Sequence, residues 1–417
     1  MTSGSESTVA LFPRPATSAR RRLVTLVGPA FVASVAYIDP GNFATNFQSG
    51  ATFGYMLLWV VVLANVVAML LQYLTAKLGV ATGRSLPEMC RETYRRPVVL
   101  GLWLQAELVV IMTDLAELVG GAIALHLLFG APLLSGGLLV AAASFVILAV
   151  RTAGQRRFEG VIAATVAVVA GVFFYQTLAA DIDVRDAAAG LVPRLDGTSS
   201  LMLAAGVVGA TVMPHAVYLH SALTKERFAP GHGLSRPRLL RAQRTDVLLA
   251  MGFAGLINAA MLLAAAGTLH GTGMEASLEG AHAQLMVTAG VSTATLFAIA
   301  LLASGLASSS VGVYAGEIIM QGFLRRRIPL YVRRLVAVVP ALAVLGSGMD
   351  ATEALVLSQV VLSVGIPFVL VPLVLLTRRA DLMGRWVNRR ITTALAIGAT
   401  VVITVLDIAL VMQTLAV

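Results

Sequence analysis

Two short runs bring together residue types that can hold a cation. The first reads Ala36-Tyr37-Ile38-Asp39-Pro40-Gly41-Asn42, and the second reads Gly209-Ala210-Thr211-Val212-Met213-Pro214-His215. Each sets a proline in the middle of a long apolar stretch. Proline removes a backbone donor and clashes with the preceding turn, so both helices are expected to kink or break there. Gly41, Gly206 and Gly209 are then the residues expected to absorb changes of backbone direction. A break frees carbonyls, and hydrocarbon tolerates these only where they line a cavity or bind something. Asp39 adds an anionic oxygen, Asn42 an amide oxygen, the chain near Ala210 a freed carbonyl, and Met213 a thioether. Oxygen ligands alone suit magnesium or calcium. A thioether favours manganese, iron, cobalt or cadmium. Met213 also reads as a flexible packing residue, and the prolines as two unrelated kinks. Their matched positions favour a site.

A second polar set lies on one helix. At about 100° per residue, Glu107, Asp114 and Glu117 fall within about 80° of one another. Acids in a membrane helix avoid lipid, so the set either packs beside buried polar partners or forms a proton path beginning near Asp39. His215 titrates near neutrality if unperturbed and is a candidate relay; His220, five residues on, reads as packing. Arg333 and Arg334 read, on sequence alone, as interfacial anchors. The one cysteine, Cys90, excludes a disulfide framework and any multi-thiolate metal site.

These residues sit in a chain built for lipid. Of its 417 residues 58% are hydrophobic and 12% charged, against roughly 25% charged in soluble domains. Eleven stretches reach the length of a membrane-spanning helix: 24–50, 53–76, 98–127, 132–150, 158–180, 199–224, 245–269, 285–322, 335–349, 352–376 and 391–415. Many are rich in Ala, Gly and Ser, as closely packed membrane helices are. A barrel would show short alternating segments instead. The first stretch contains Asp39-Pro40-Gly41-Asn42 and no small-residue cleavage site, so it reads as a membrane element and not a signal peptide. Residues 1–19 are polar and Ser/Thr-rich and are expected to be a disordered tail.

Charge placement tests that count. With the N-terminus on the cytoplasmic side, the tail and the loops near 77–97, 151–157, 225–244, 323–334 and 377–390 hold 28 of the 30 Lys and Arg residues. Only Arg185 and Arg194 fall on the other side. This is the positive-inside pattern. It makes the basic balance a topology signal and removes nucleic acid as a partner. The C-terminus is then external, and the composition suggests a bacterial inner membrane.

Pro40 and Pro214 are each central to the first span of a five-span block. Five is odd, so a second copy must be inverted, the arrangement of secondary transporters with a midplane site. The expected division is a tail at 1–23, a first five-helix repeat at 24–180, and an external loop at 181–198. A second, inverted repeat follows at 199–376, and a cytoplasmic loop with an eleventh helix at 377–417. A sodium-coupled amino-acid transporter competes, although Asp39 would repel a substrate carboxylate. A channel would need a continuous pore, and a non-transporting metal sensor would need no flux. No nucleotide-binding loop, zincin motif or nucleophile elbow supports an enzyme.

Asp39-Pro40-Gly41-Asn42 and Met213-Pro214-His215 resemble the two signature motifs of the Nramp family of divalent-metal transporters. A third stretch, from Gly305 to Ala315-Gly316-Glu317-Ile318-Ile319-Met320-Gln321-Gly322-Phe323, resembles that family's transport motif. The likeness runs from about Arg22 to the end of the eleventh span. It implies the leucine-transporter fold and import of Mn²⁺ or Fe²⁺, with Co²⁺ and Cd²⁺ as further candidates, coupled to protons. The metal is then a substrate, and no resident cofactor is expected. By that resemblance the ligands are Asp39, Asn42, the Ala210 carbonyl and Met213, joined in some states by Gln359 of Leu357-Ser358-Gln359-Val360. Met213 separates the chain from magnesium- and aluminium-transporting relatives, which lack it. The proton route carries over to Asp39, Asp114, Glu117 and His215, with Arg333 and Arg334 at its inner end. Glu317 departs from the pattern, where many relatives carry glutamine. The oligomeric state is not legible.

Overall fold

The computed structural model describes residues 28–152, 155–228, 235–273, 276–326 and 328–415. The predicted tail and parts of the basic loops at 151–157, 225–244 and 323–334 lie outside the described residues. What is described is helical. The first apolar stretch forms α1 (Pro29–Ser34), a 3-10 turn (Val35–Ile38) and α2 (Pro40–Phe53). There follow α3 (Leu58–Thr82), α4 (Leu86–Thr93), α5 (Arg96–Phe129), α6 (Leu133–Thr152), α7 (Gln155–Ala179) and α8 (Val184–Ala189). The sixth stretch is split into α9 (Gly197–Thr211) and α10 (Pro214–Arg227). The remainder is α11 (Arg236–Leu269), α12 (Leu278–Thr288), α13 (Val291–Leu324), α14 (Leu330–Ser347), α15 (Ala351–Thr377), α16 (Ala380–Met383) and α17 (Arg390–Leu415).

Among the described residues seven helices are long and apolar enough to cross a membrane, counting α9 and α10 together. Shorter apolar helices at Pro29–Ile38, Leu133–Val146 and Ala163–Ala179 fall within the first, fourth and fifth predicted stretches, and α14 falls at the ninth. The stretch at 285–322 is divided. Gly290 takes a positive φ of 84°, where a glycine meets no strain, and separates α12 from α13. Three short helices, α4, α8 and α16, lie in segments read from sequence as loops. Ser85 and Glu88 cap α4 reciprocally. Glu88 also accepts from Lys225 Nζ at 2.7 Å, tying α4 to the end of α10. Burial pushes the Glu88 carboxyl up, but the bonds from Lys225 and the Ser85 amide outweigh it and hold it below the ordinary range.

The two interrupted helices run against each other. α9 packs on α2 and α10 packs on α1, so the first half of each meets the second half of the other. That is an antiparallel pair. The same pairing repeats one and two helices on, where α3 packs on α11 and α5 on α13. First, second and third helices of two five-helix blocks therefore meet their counterparts, as an inverted repeat requires. α15 lies across α9 and α2 together. The main apolar cluster of the core runs through these helices, with two small clusters beside it.

Candidate metal site and an acid–arginine route

Asp39 is where the first membrane stretch stops being helical, with φ −86° and ψ 170°. It is the N-cap of α2, and its Oδ1 accepts from the Asn42 backbone N–H at 2.9 Å. Pro40 takes the first helical position, where its missing N–H is no loss and its φ is already helical. The second break follows the same plan. Val212 and Met213 leave helical geometry, and Pro214 begins α10. The prolines therefore start new half-helices instead of kinking continuous ones. The first break falls at Asp39, and Gly41, expected from sequence to belong to it, lies inside α2. The caps differ: Met213 gives α10 no side-chain cap.

The freed carbonyls have different fates. Asn258 of α11 donates to Tyr37 O at 2.9 Å, and Ser304 of α13 donates to Ile38 O. Ala210 O instead accepts from Asn42 Nδ2 at 2.9 Å. The same nitrogen donates to Asp39 Oδ1 at 2.7 Å. One amide group thus sits between a carboxylate oxygen and a freed carbonyl, the position a cation would favour. Three acceptors around it, Asp39 Oδ2, Asn42 Oδ1 and Gln359 Oε1, are buried with no hydrogen-bond partner among the described residues. Each such group costs about 1–3 kcal/mol, more when charged. Asp39, Asn42, Ala210, Met213 and Gln359 are all 0% exposed.

Gln359 reaches the site because two glycines let it. Its carboxamide lies against Gly41 and its carbonyl against Gly209, and a Cβ on either glycine would overlap it. The sequence suggested that these glycines serve as hinges; the structure shows that they also let α15 touch both half-helices. Met213 is packed into the apolar core at the break. Among the described residues no group of three or more His, Cys, Asp or Glu gathers around a point. The donor set carries one formal charge, and affinity follows ligand charge count. Such a site suits an ion that must leave again.

Pro40 also joins the break to the second polar set. Its ring is wedged between Gly120 of α5 and Gly305 of α13, where a Cβ on Gly305 would lie 3.3 Å from Pro40 Cγ. Further along these helices Arg334 is buried and donates to Asp114 Oδ1 at 2.6 Å. It also donates to the hydroxyls of Ser144, at 3.0 Å, and Ser309. Glu117 lies 4.0 Å from the same guanidinium, and neither of its oxygens has a hydrogen-bond partner among the described residues. Arg333 takes a different acid, Glu107, with bonds of 3.2 and 2.8 Å. His215 meets the set indirectly, its Nδ1 lying 3.2 Å from Thr113 Oγ1 next to Asp114.

One face of α13 makes room for all of this. Gly305 receives Pro40 and the Glu117 backbone, Gly312 the Glu117 and Asp114 carboxyls, and Gly316 the Arg333 guanidinium. These positions fall within about 40° on a helix. The third sequence motif is thus a glycine face against which two acids and Arg333 lie. Glu317 sits beside it and accepts from Gln321 Nε2 at 2.9 Å.

Several polar residues escaped the reading from sequence. His220 does more than pack: its Nδ1 lies 2.7 Å from Gln72 Oε1, and Gln72 Nε2 donates to Tyr37 OH at 2.6 Å. Asn258 and Ser304 cap the first break. Asp407 of α17 accepts from Ser363 of α15 at 2.6 Å, one turn from Gln359. Only Asp407 carried a signal that could have found it, as an acid deep in an apolar stretch.

Residues 30–413 match the sequence profile of the Nramp family, described as natural resistance-associated macrophage protein-like. The chain is 51% identical over 391 residues to the divalent metal cation transporter MntH of Mycobacterium leprae (strain TN), covering 93% of this chain and 92% of that one. It is 47% identical over 396 residues to MntH of Bacillus subtilis (strain 168), covering 94% and 93%. Among solved structures, a mutant of the Eremococcus coleocola manganese transporter superposes with a TM-score of 0.85 at 29% identity, covering 96% of this chain and 89% of that one. Mhp1, a nucleobase-cation-symport-1 family transporter in a closed conformation, shares the fold with a TM-score of 0.61 at 17% identity, covering 94% and 90%.

Proposed function

The chain belongs to the Nramp family of divalent metal cation transporters, and on that premise we propose that it imports Mn²⁺ or Fe²⁺ together with protons by alternating access. It is a multi-pass membrane protein. The observation that carries the reading is the set of partnerless buried oxygens on Asp39, Asn42 and Gln359 beside the shared Ala210 carbonyl. With that carbonyl they come from α2, α9 and α15, three helices packed on one another at the breaks. A cation offsets the cost of all of them at once.

On binding, the Asn42 amide turns its oxygen toward the ion, and the Asp39 carboxylate supplies the charge. Met213 adds a soft donor that calcium and magnesium do not reward. The two half-helix pairs then rock against the remaining helices and open the site to one side at a time. The proton takes a separate route. Glu117, held beside Asp114 and 4.0 Å from the Arg334 guanidinium, is the group that accepts and releases it, with Asp39 at one end of the route. His215 relays through Thr113, and Arg333 with Glu107 closes the far end. Separate routes spare the two cations from occupying one site. The N-terminus is cytoplasmic, the C-terminus external, and the membrane is the bacterial inner membrane. An amino-acid substrate is disfavoured because its carboxylate would lie beside Asp39.

The test reads both fluxes at once in sealed proteoliposomes carrying a pH-sensitive dye. The wild type moves metal and acidifies the lumen. Asp114→Asn is expected to keep much of the metal flux and lose most of the acidification. Equal loss of both in that variant, with metal binding retained, would overturn the separate-route reading.

A further inference from the structure

A cavity open to the surface at the junction of α15 and α17 is not used by the transport site. Arg378, Asn388, Arg390, Thr393, Ala394 and Ile397 line a volume of about 380 Å³ there. Its rim is cationic. Arg379 is paired with Asp381 at 2.5 Å. Arg378 and Arg390 are exposed and have no carboxylate partner among the described residues. Asn388 is already committed, accepting from Lys77 Nζ at 2.7 Å and donating to Thr377 Oγ1 at 2.8 Å. It therefore fixes the wall and leaves anion binding to the two guanidinium groups. The other side of the cavity is apolar. From Ile397 a file of exposed aliphatic side chains, Val401, Val405 and Ile408, runs along one face of α17. Their spacing of four, four and three residues keeps them on that face.

We propose that this cavity binds the phosphate headgroup of an anionic phospholipid, with an acyl chain lying along the Ile397–Ile408 file. Guanidinium groups recognise phosphate through paired N–H donors. The segment 377–390 carries five arginines against one acid, Asp381, so a lipid of net negative charge fits where a zwitterionic one gains little. Free phosphate offers the same headgroup chemistry but nothing for the apolar file. A bound lipid would bridge the end of α15, the helix that carries Gln359, to the start of α17. The inference rests on the membrane-spanning reading and not on the metal site.

The test uses the purified full-length protein in a neutral detergent, with thermal unfolding and native mass spectrometry as readouts. Phosphatidylglycerol is expected to raise the unfolding temperature and remain bound in the gas phase, while phosphatidylcholine and inorganic phosphate do neither. At about fivefold per arginine near an anionic headgroup, Arg378→Gln/Arg390→Gln should need roughly 25-fold more phosphatidylglycerol for the same shift. Arg379→Gln, which removes an arginine already paired, should behave as wild type. If the double variant does not fold, Arg378→Lys keeps the charge but loses the paired donors and should show a several-fold weaker response. An undiminished shift in the arginine variants, an equal shift with phosphatidylcholine, or an equal shift with inorganic phosphate would each overturn the proposal. None of these readouts requires transport, so failure here is distinct from failure of the metal site.

Discussion

Asp39 and Met213 occupy equivalent positions, each the last residue before a half-helix that begins with proline, yet they offer a cation different chemistry. The carboxylate attracts any divalent ion. The thioether discriminates, because hard ions gain little from sulfur. Met213→Ala should therefore relax selectivity more than it weakens manganese uptake. The Mn²⁺-over-Ca²⁺ preference should fall by roughly tenfold, the factor carried by about 1.4 kcal/mol, as read from calcium inhibition of manganese uptake. Calcium exclusion unchanged in that variant would remove the methionine from the selectivity role. Both residues were legible in the sequence because a charge and a thioether beside a mid-membrane proline are conspicuous. Gln359 was not legible in that way. A lone glutamine in an apolar helix carries no register, and only the family resemblance pointed to it. The Tyr37–Gln72–His220 chain was hidden for the same reason, since it joins three helices whose facing sides sequence does not reveal.

At the scale of elements, the breaks were foreseen and their construction was not. Proline was read as an interruption, whereas each proline is the first residue of a new half-helix. The glycines were read as hinges. Gly41 and Gly209 are contact points where α15 lies directly on the broken helices, and Gly305, Gly312 and Gly316 form the face that receives Pro40, two acids and Arg333. Periodicity cannot show this, because a glycine's role depends on what approaches it. A Cβ on Gly209 would overlap the Gln359 carbonyl, so Gly209→Ala must push α15 away from the site. That variant should lose most manganese uptake, by tenfold or more if the barrier rises by about 1.4 kcal/mol, while Gly398→Ala on α17, which meets open space, should transport as wild type. Equal activity of both would show that α15 does not need its close approach. The Glu88–Lys225 pair that ties α4 to α10 gives a pH signature. Its stabilisation is present above the unfolded glutamate value near about 4.3 and is lost as pH falls through the lower folded value. Wild-type protein should therefore lose unfolding temperature more steeply than Glu88→Gln on acidification below about pH 4.3. Parallel curves would show that the pair contributes nothing.

For the whole molecule, the membrane class and the all-helical architecture followed from composition and the long apolar stretches. The antiparallel crossing of the two broken helices followed from an odd number of spans per block. Orientation rests on where 28 of 30 basic residues fall. It has a direct check, since Cys90 is buried and can be replaced to give a cysteine-free background. In intact cells a membrane-impermeant maleimide should label Arg185→Cys, and should reach Arg385→Cys only after permeabilisation. The reverse pattern would invert the topology and turn import into export.

The central claim is that a cation is held by the oxygens and sulfur at the two breaks and carried across. The most direct measurement is Mn²⁺ influx into sealed proteoliposomes with excess external Ca²⁺, with Asp39→Ala measured alongside. Saturable uptake that survives calcium and vanishes in Asp39→Ala is the expected result. Uptake abolished by calcium, or undiminished in Asp39→Ala, would contradict a selective metal site at the helix breaks.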